Sequence, residues 1–144
     1  DVRLKRFLEM RGADGGPWRR ICALPAFWVG LLYDDAALAD AEAMTRDWTF
    51  EDVDALRNAV PVEGIAAVIR DRSLRDVARD ALSISRAGLK RRARANRDGF
   101  DETHFLNTLD EVVARGTTSA EEMLDAYHTR WGGSIEPVFM EYAY

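Results

Sequence analysis

One cysteine, two histidines and no long apolar run set the first limits on this chain of 144 residues. Cys22 alone excludes an internal disulfide framework and a thiolate zinc cluster. Such sparing use of cysteine suits a reducing compartment, so the expected location is the cytoplasm. His104 and His128 stand far apart in sequence and form no close-spaced ligand pair. No catalytic serine triad has support. The longest uncharged stretch, residues 21–33 (ICALPAFWVGLLY), has 13 residues, against the ~20 that a membrane helix needs. Pro25 and Gly30 interrupt it, so it reads as a buried core helix that contains Cys22 as an inert thiol. No signal-peptide pattern is visible, and no membrane partner is expected.

A surplus of positive charge is lacking as well. Twenty Lys and Arg against 25 Asp and Glu leave a net charge of −5, which argues against nucleic acid as a partner of the whole chain. The one basic stretch, residues 85–97 (SRAGLKRRARANR), has six positive charges and no acid. It reads as a solvated helix face with aliphatic stems packed along the helix.

What is present is the material of one globular domain, 47% hydrophobic and 31% charged. Side chains alternate over residues 2–11, with Val2, Leu4, Leu8 and Met10 pointing one way. Arg3, Lys5, Phe7, Glu9 and Arg11 point the other, and Arg6 breaks the pattern. Period two predicts a strand over 2–11. A lone strand needs partners, and no second convincing strand follows. The chain therefore reads as the tail of a longer protein, whose sheet is built largely elsewhere.

After a glycine turn over 12–16, everything from Pro17 to about residue 130 reads as helical. Pro17 suits the first position of a helix, with Ile21, Leu24, Phe27, Trp28, Leu31 and Leu32 at helical spacing. A second helix starts after Asp34 or Asp35. Thr49 with Asp52 caps a third. Residues 60–71 read as a loop. Ser73 with Asp76 opens a helix with the stripe Leu74, Val77, Ala81, Ile84 and Gly88. Phe105, Leu109, Val112 and Val113 line another that stops at Gly116, and Thr118–Glu121 is a capping box for the last. The tail, 131–144, reads as an irregular segment. The fold class is thus mainly α with one N-terminal strand, organised as a single segment over 1–144.

Residues 8–20 (LEMRGADGGPWRR) carry the candidate chemistry. A carboxylate such as Glu9 on a charged strand face can ligate Mg²⁺, a hard cation that prefers oxygen and keeps water or phosphate in its shell; the plain alternative is an ion pair with Lys5 or Arg11. Arg11, two residues on, lies roughly 6–7 Å along the strand and can grip a phosphoryl group, or simply pair with Glu9. The GADGGPW turn lets backbone amides approach an anion as a helix begins, or is only a tight connection. Trp18, Arg19 and Arg20 open that helix beside it.

Residues 7–34 (FLEMRGADGGPWRRICALPAFWVGLLYD) resemble the plant and proteobacterial type of glutamate–cysteine ligase. The likeness continues through DWT (47–49), LRNAVPVEG (56–64), AGLKRRA (87–93), DETHFL (101–106), TSAEEML (118–124) and WGGSIEPVFMEYAY (131–144). It implies the C-terminal portion of an α+β, glutamine-synthetase-like ligase domain, with the N-terminal part of the same chain missing. It implies ATP-dependent joining of the L-glutamate γ-carboxylate to L-cysteine through an acyl phosphate, the first step of glutathione biosynthesis. ATP and Mg²⁺ are the implied cofactors, and glutamate, cysteine and ATP the small-molecule partners. A homodimer is admitted but not required. In the family's Glu-x-Arg strand pattern, Glu9 becomes a metal ligand and Arg11 the catalytic, phosphate-binding arginine. Trp18 and Arg19 become substrate- or phosphate-binding contacts. By itself the chain is expected to be inactive. The alternative is a helical packing or interaction module without catalysis.

Overall fold

The computed structural model describes residues 2–13 and 15–143. The chain opens on a hairpin. Strand β1 (Val2–Leu4) runs antiparallel to β2 (Leu8–Met10), with Val2 opposite Met10, Arg3 opposite Glu9 and Leu4 opposite Leu8. This corrects the single strand expected over 2–11. The reason is visible in the pattern: VRL and LEM mirror each other, and Arg6, the residue that broke the alternation, sits where the chain reverses. Pairing Leu4 with Leu8 keeps Val2, Leu4, Leu8 and Met10 on one face and Arg3 and Glu9 on the other. The facial division holds although the topology differs.

Seven helices follow among the described residues: α1 (Trp18–Leu32), α2 (Asp35–Thr45), α3 (Phe50–Glu63), α4 (Leu74–Arg92), α5 (Asn107–Arg115), α6 (Ser119–His128) and α7 (Glu136–Glu141). None is long and apolar enough to cross a membrane by itself. The expected starts of three are found. Thr49 and Asp52 form a reciprocal capping box, Ser73 accepts from the Asp76 amide, and Thr118 and Glu121 form a second box. Gly116 ends α5 in the left-handed conformation that glycine adopts without a Cβ penalty. Pro17 is the N-cap of α1 rather than its first residue.

Two stretches differ from expectation. Residues 60–71 are not a loop: α3 runs through Pro61 to Glu63, a 3₁₀ turn covers Gly64–Ala66, and β3 (Val68–Ile69) pairs with β4 (Arg72–Ser73). Pro61 is the third-last residue of α3, so the helix continues past a residue that usually ends one. The reversal between β3 and β4 uses Arg70 at φ 57° instead of a glycine, so the usual composition signal is missing. The Arg70 guanidinium donates to the Asp47 carbonyl at 2.5 Å and lies 3.4 Å from Asp52. The tail is not wholly irregular either. Pro137 sits in the first turn of α7, and Trp131 Nε1 donates to Glu141 at 2.9 Å.

Helix α1 packs mainly on α4, and the core gathers Ala26, Ile65, Leu82, Leu89, Leu106 and Val113. At the crossing the two backbones nearly touch. A Cβ on Gly30 would lie 2.3 Å from the Ser85 carbonyl oxygen, and one on Gly88 would lie 2.0 Å from the Gly30 carbonyl oxygen. Ser85, fully buried, donates its hydroxyl to the Phe27 carbonyl at 2.9 Å. The helix stripe was legible; this approach distance was not.

Gly64 requires glycine for a further reason. It has φ 56° and ψ −135°, and a Cβ there would come 2.8 Å from a Glu121 carboxylate oxygen, itself held by the Thr118 amide. Gly64→Ala is expected to cost about 2 kcal/mol. A denaturant midpoint unchanged by that substitution would contradict this reading.

The basic stretch is more than a solvated face. Arg91 reaches Asp34 at 2.7 Å, Arg92 reaches Glu102 at 3.1 Å, and Arg86 pairs with Asp110. Each acid belongs to a different neighbouring segment, so the basic end of α4 pins the connections around it. Arg75 does the same for α5, donating Nε to the Val113 carbonyl at 2.6 Å in that helix's last turn.

Several carboxylates sit below their ordinary values because the ionised form accepts hydrogen bonds. The Arg91 guanidinium lowers Asp34, the Thr49 amide lowers Asp52, and the Ser73 hydroxyl lowers Asp76. Thr103 lowers Asp101, Thr118 lowers Glu121, and Arg130 lowers Glu141. A depressed folded-state pKa means that the unfolded chain binds protons first on acidification. This stabilisation is complete above the ordinary values of 3.8 and 4.5 and fades as pH falls through the lower folded values. The melting temperature is therefore expected to hold from pH 7 to about pH 5 and then drop. Melts that rise below pH 4 would refute this.

Candidate functional site

The hairpin register places Glu9 directly across from Arg3. Glu9 Oε2 lies 3.2 Å from Arg3 Nε and 3.9 Å from Lys5 Nζ. That oxygen is sealed from solvent but accepts no well-aligned hydrogen bond. Of the expected alternatives, the pairing with Lys5 is present, and Arg3 is a partner that a single strand would have held about 20 Å away along the same face. Arg11 follows β2 and is exposed.

The glycine turn then leads into α1. Gly16 is buried, and Asp14, within this turn, lies outside the described residues. The Pro17 carbonyl accepts from the Arg20 and Ile21 amides at 2.7 and 3.1 Å. The first turn of α1 has no side-chain cap and no acid. Trp18 is 75% exposed. Arg19 lies 3.5 Å from Glu111 on α5, and Arg20 donates to the Ser119 hydroxyl at the start of α6. The expected site residues thus fall into two groups: Glu9 and Arg11 on and just after the hairpin, Trp18 and Arg19 at the head of α1.

Two cavities meet at the turn, both walled by Gly15, Gly16 and Arg20. One, about 520 Å³, is lined almost wholly by apolar groups such as Ile21, Phe27, Leu82 and Val113. The other, about 640 Å³, mixes Arg19, Arg20, Ser119, Glu122, Glu141 and Tyr142. The second suits charged ligands better, since it offers both signs of charge and hydroxyl groups. Ser119, Glu122 and Tyr142 come from α6 and the tail and were not singled out from sequence. The capping box at Thr118 was the available signal, because it fixes Ser119 as the first residue of α6.

Among the described residues no three His, Cys, Asp or Glu side chains gather as a metal cluster. Glu9 is a hard oxygen donor of the kind that fits Mg²⁺, while in this arrangement its Oε2 faces Arg3 and Lys5. That ion is usually held by one or two carboxylates plus substrate phosphates and water. One carboxylate is a contribution to such a site and not the whole of it.

The family model described as "Glutamate-cysteine ligase family 2 (GCS2)" matches residues 1–141. The chloroplastic glutamate–cysteine ligases of Nicotiana tabacum and Arabidopsis thaliana are each 54% identical to this chain over all 144 residues. Glutamate–cysteine ligase A of Oryza sativa subsp. indica, also chloroplastic, is 52% identical over the same length. The chain covers 26%, 26% and 28% of those proteins, so it spans about a quarter of their length. Their chloroplastic names overturn the cytoplasmic location expected above. Cysteine count reports redox conditions and carries no address.

Proposed function

The chain belongs to glutamate–cysteine ligase family 2, and on that premise we propose that it forms the C-terminal part of an enzyme joining the γ-carboxylate of L-glutamate to the amine of L-cysteine at the expense of ATP. What supports this reading is the 54% identity to the Nicotiana tabacum ligase over all 144 residues of the chain. The chemistry demands such residues. A carboxylate oxygen is a poor leaving group, so an amine cannot displace it at neutral pH. Transfer of the ATP γ-phosphoryl group to that oxygen makes an acyl phosphate, from which the amine expels phosphate. Negative charge on the moving phosphoryl oxygens must be offset during transfer. In this reading Arg11 donates to those oxygens, and Glu9 holds Mg²⁺. When bound, the ion neutralises phosphate charge. Trp18 and Arg19, the latter facing Glu111 in this structure, contact phosphate or substrate. One observation favours the rival packing module: Glu9 is engaged by Arg3 and Lys5.

The deciding experiment is phosphate release by the full-length polypeptide that contains this chain. Release that requires ATP, Mg²⁺, glutamate and cysteine together supports the ligase. Release independent of cysteine, or none, sinks it. The 144-residue segment alone is expected to release none, because a single carboxylate and arginine leave the metal and nucleotide incompletely coordinated.

A further inference from the structure

The hairpin that carries Glu9 packs chiefly on itself, whereas the large contacts of the molecule join helices, α1 with α4 above all. Its placement therefore depends on the connection through residues 11–17. Arg20 ties that connection to α6 with the two ends of its side chain. A Cβ on Gly16 would lie 3.3 Å from Arg20 Cβ and 3.4 Å from its Cδ, so the aliphatic stem lies flat against the buried glycine. The guanidinium donates through Nη1 to the Ser119 hydroxyl, 99 residues onward. Its Nε is sealed from solvent without a hydrogen-bond partner. A buried donor left unsatisfied is uncommon, so this side chain is placed by its stem and its terminal bond, not by full solvation of its head.

We propose that Arg20 is a positioning residue: acting through Gly16 and Ser119, it sets the glycine turn, and with it Glu9 and Arg11, against the helical body. This rests on the ligase reading of Glu9 and Arg11. A misplacement of about 1 Å at reacting groups lowers rates by up to ~100-fold, so the clamp acts on turnover more than on affinity. The stem lies against the turn while the planar guanidinium reaches Ser119, a combination that the point-charge ammonium of lysine does not reproduce.

The test uses the full-length polypeptide with Ser119→Ala, Ser119→Thr, Arg20→Gln and the double variant Arg20→Gln/Ser119→Ala. Ser119→Ala is expected to lower kcat about tenfold and Arg20→Gln up to about 100-fold, with KM for glutamate and cysteine within about twofold. The double variant should be no slower than Arg20→Gln, because both changes remove one shared contact. Ser119→Thr keeps the hydroxyl and should restore the rate. Amide hydrogen exchange over residues 12–16 should quicken while α4 stays protected, a pattern that general destabilisation does not produce. If Arg20→Gln loosens α4 as well, the Ser119 pair decides. Full kcat with unchanged exchange in Ser119→Ala, or effects that multiply in the double variant, overturns the proposal. Loss of turnover in Glu9→Gln with none in the Arg20 and Ser119 variants removes this inference and spares the ligase reading. Full turnover in Glu9→Gln and Arg11→Ala removes the catalytic reading of Glu9 and Arg11, and the positioning role falls with it.

Discussion

Glu9→Gln and Arg11→Ala, each made in the full-length polypeptide, are expected to lower kcat for cysteine-dependent phosphate release by about 100-fold or more. Glutamine keeps the size of Glu9 and removes its charge, so the hairpin should persist while the ion loses a hard anionic ligand. Alanine at position 11 removes the guanidinium that offsets phosphoryl charge. Both changes act on the transition state of transfer, so kcat should fall while KM for cysteine moves little. Lost folding does not account for such an effect. Glu9 pairs with Arg3 and Lys5 on a partly exposed hairpin, and ion pairs in that setting contribute about 0–1 kcal/mol. Arg3→Gln separates the two explanations, because it breaks the same pair and leaves the carboxylate in place. If Arg3→Gln proves as damaging as Glu9→Gln, the ion pair matters and the metal assignment fails. If Glu9→Gln and Arg11→Ala both retain full rate, the hairpin is not catalytic and the packing-module reading takes over.

The second large effect is on stability. Gly88→Ala should destabilise the fold by about 3 kcal/mol or more, and Gly30→Ala similarly. Alanine is normally the better helix former, by up to ~1 kcal/mol over glycine, so an exposed helical glycine would respond with the opposite sign. Here the added methyl meets backbone: 2.0 Å from the Gly30 carbonyl oxygen for Gly88, and 2.3 Å from both the carbonyl and the hydroxyl oxygen of Ser85 for Gly30. Relief requires α1 and α4 to move apart, and that loosens the core around Ala26, Leu82 and Leu89. The steric term outweighs propensity. Ser85→Ala offers a graded comparison: it keeps the close approach, loses the bond to the Phe27 carbonyl, and should cost about 1 kcal/mol. Thermal or denaturant unfolding of the three variants checks the order. A stabilised Gly88→Ala would mean that the helices do not cross at this distance.

Local signals were strong at the starts of α3, α4 and α6 and at the end of α5. Thr49 with Asp52, Ser73 with Asp76, Thr118 with Glu121, and the stop at Gly116 could all be read directly, because capping joins residues three apart and depends on nothing distant. The apolar stripe of α4 could be read for the same reason. The division of residues 2–10 into an apolar and a charged face was also legible, since alternation survives whether the chain runs on or turns back.

The sequence by itself therefore determined the starts of α3, α4 and α6, the mainly α character, the facial pattern around Glu9 and the family likeness carried by residues 7–34. Only the tertiary structure decided the rest. The reversal at residues 5–7 creates the Arg3–Glu9 pair, and Arg70 takes a turn position without the expected glycine. Gly30, Ser85 and Gly88 let two backbones meet. Arg20 joins a glycine turn to Ser119 across 99 residues. Each of these depends on which segments meet in space, and a contact between distant residues leaves no periodic trace in the chain that makes it.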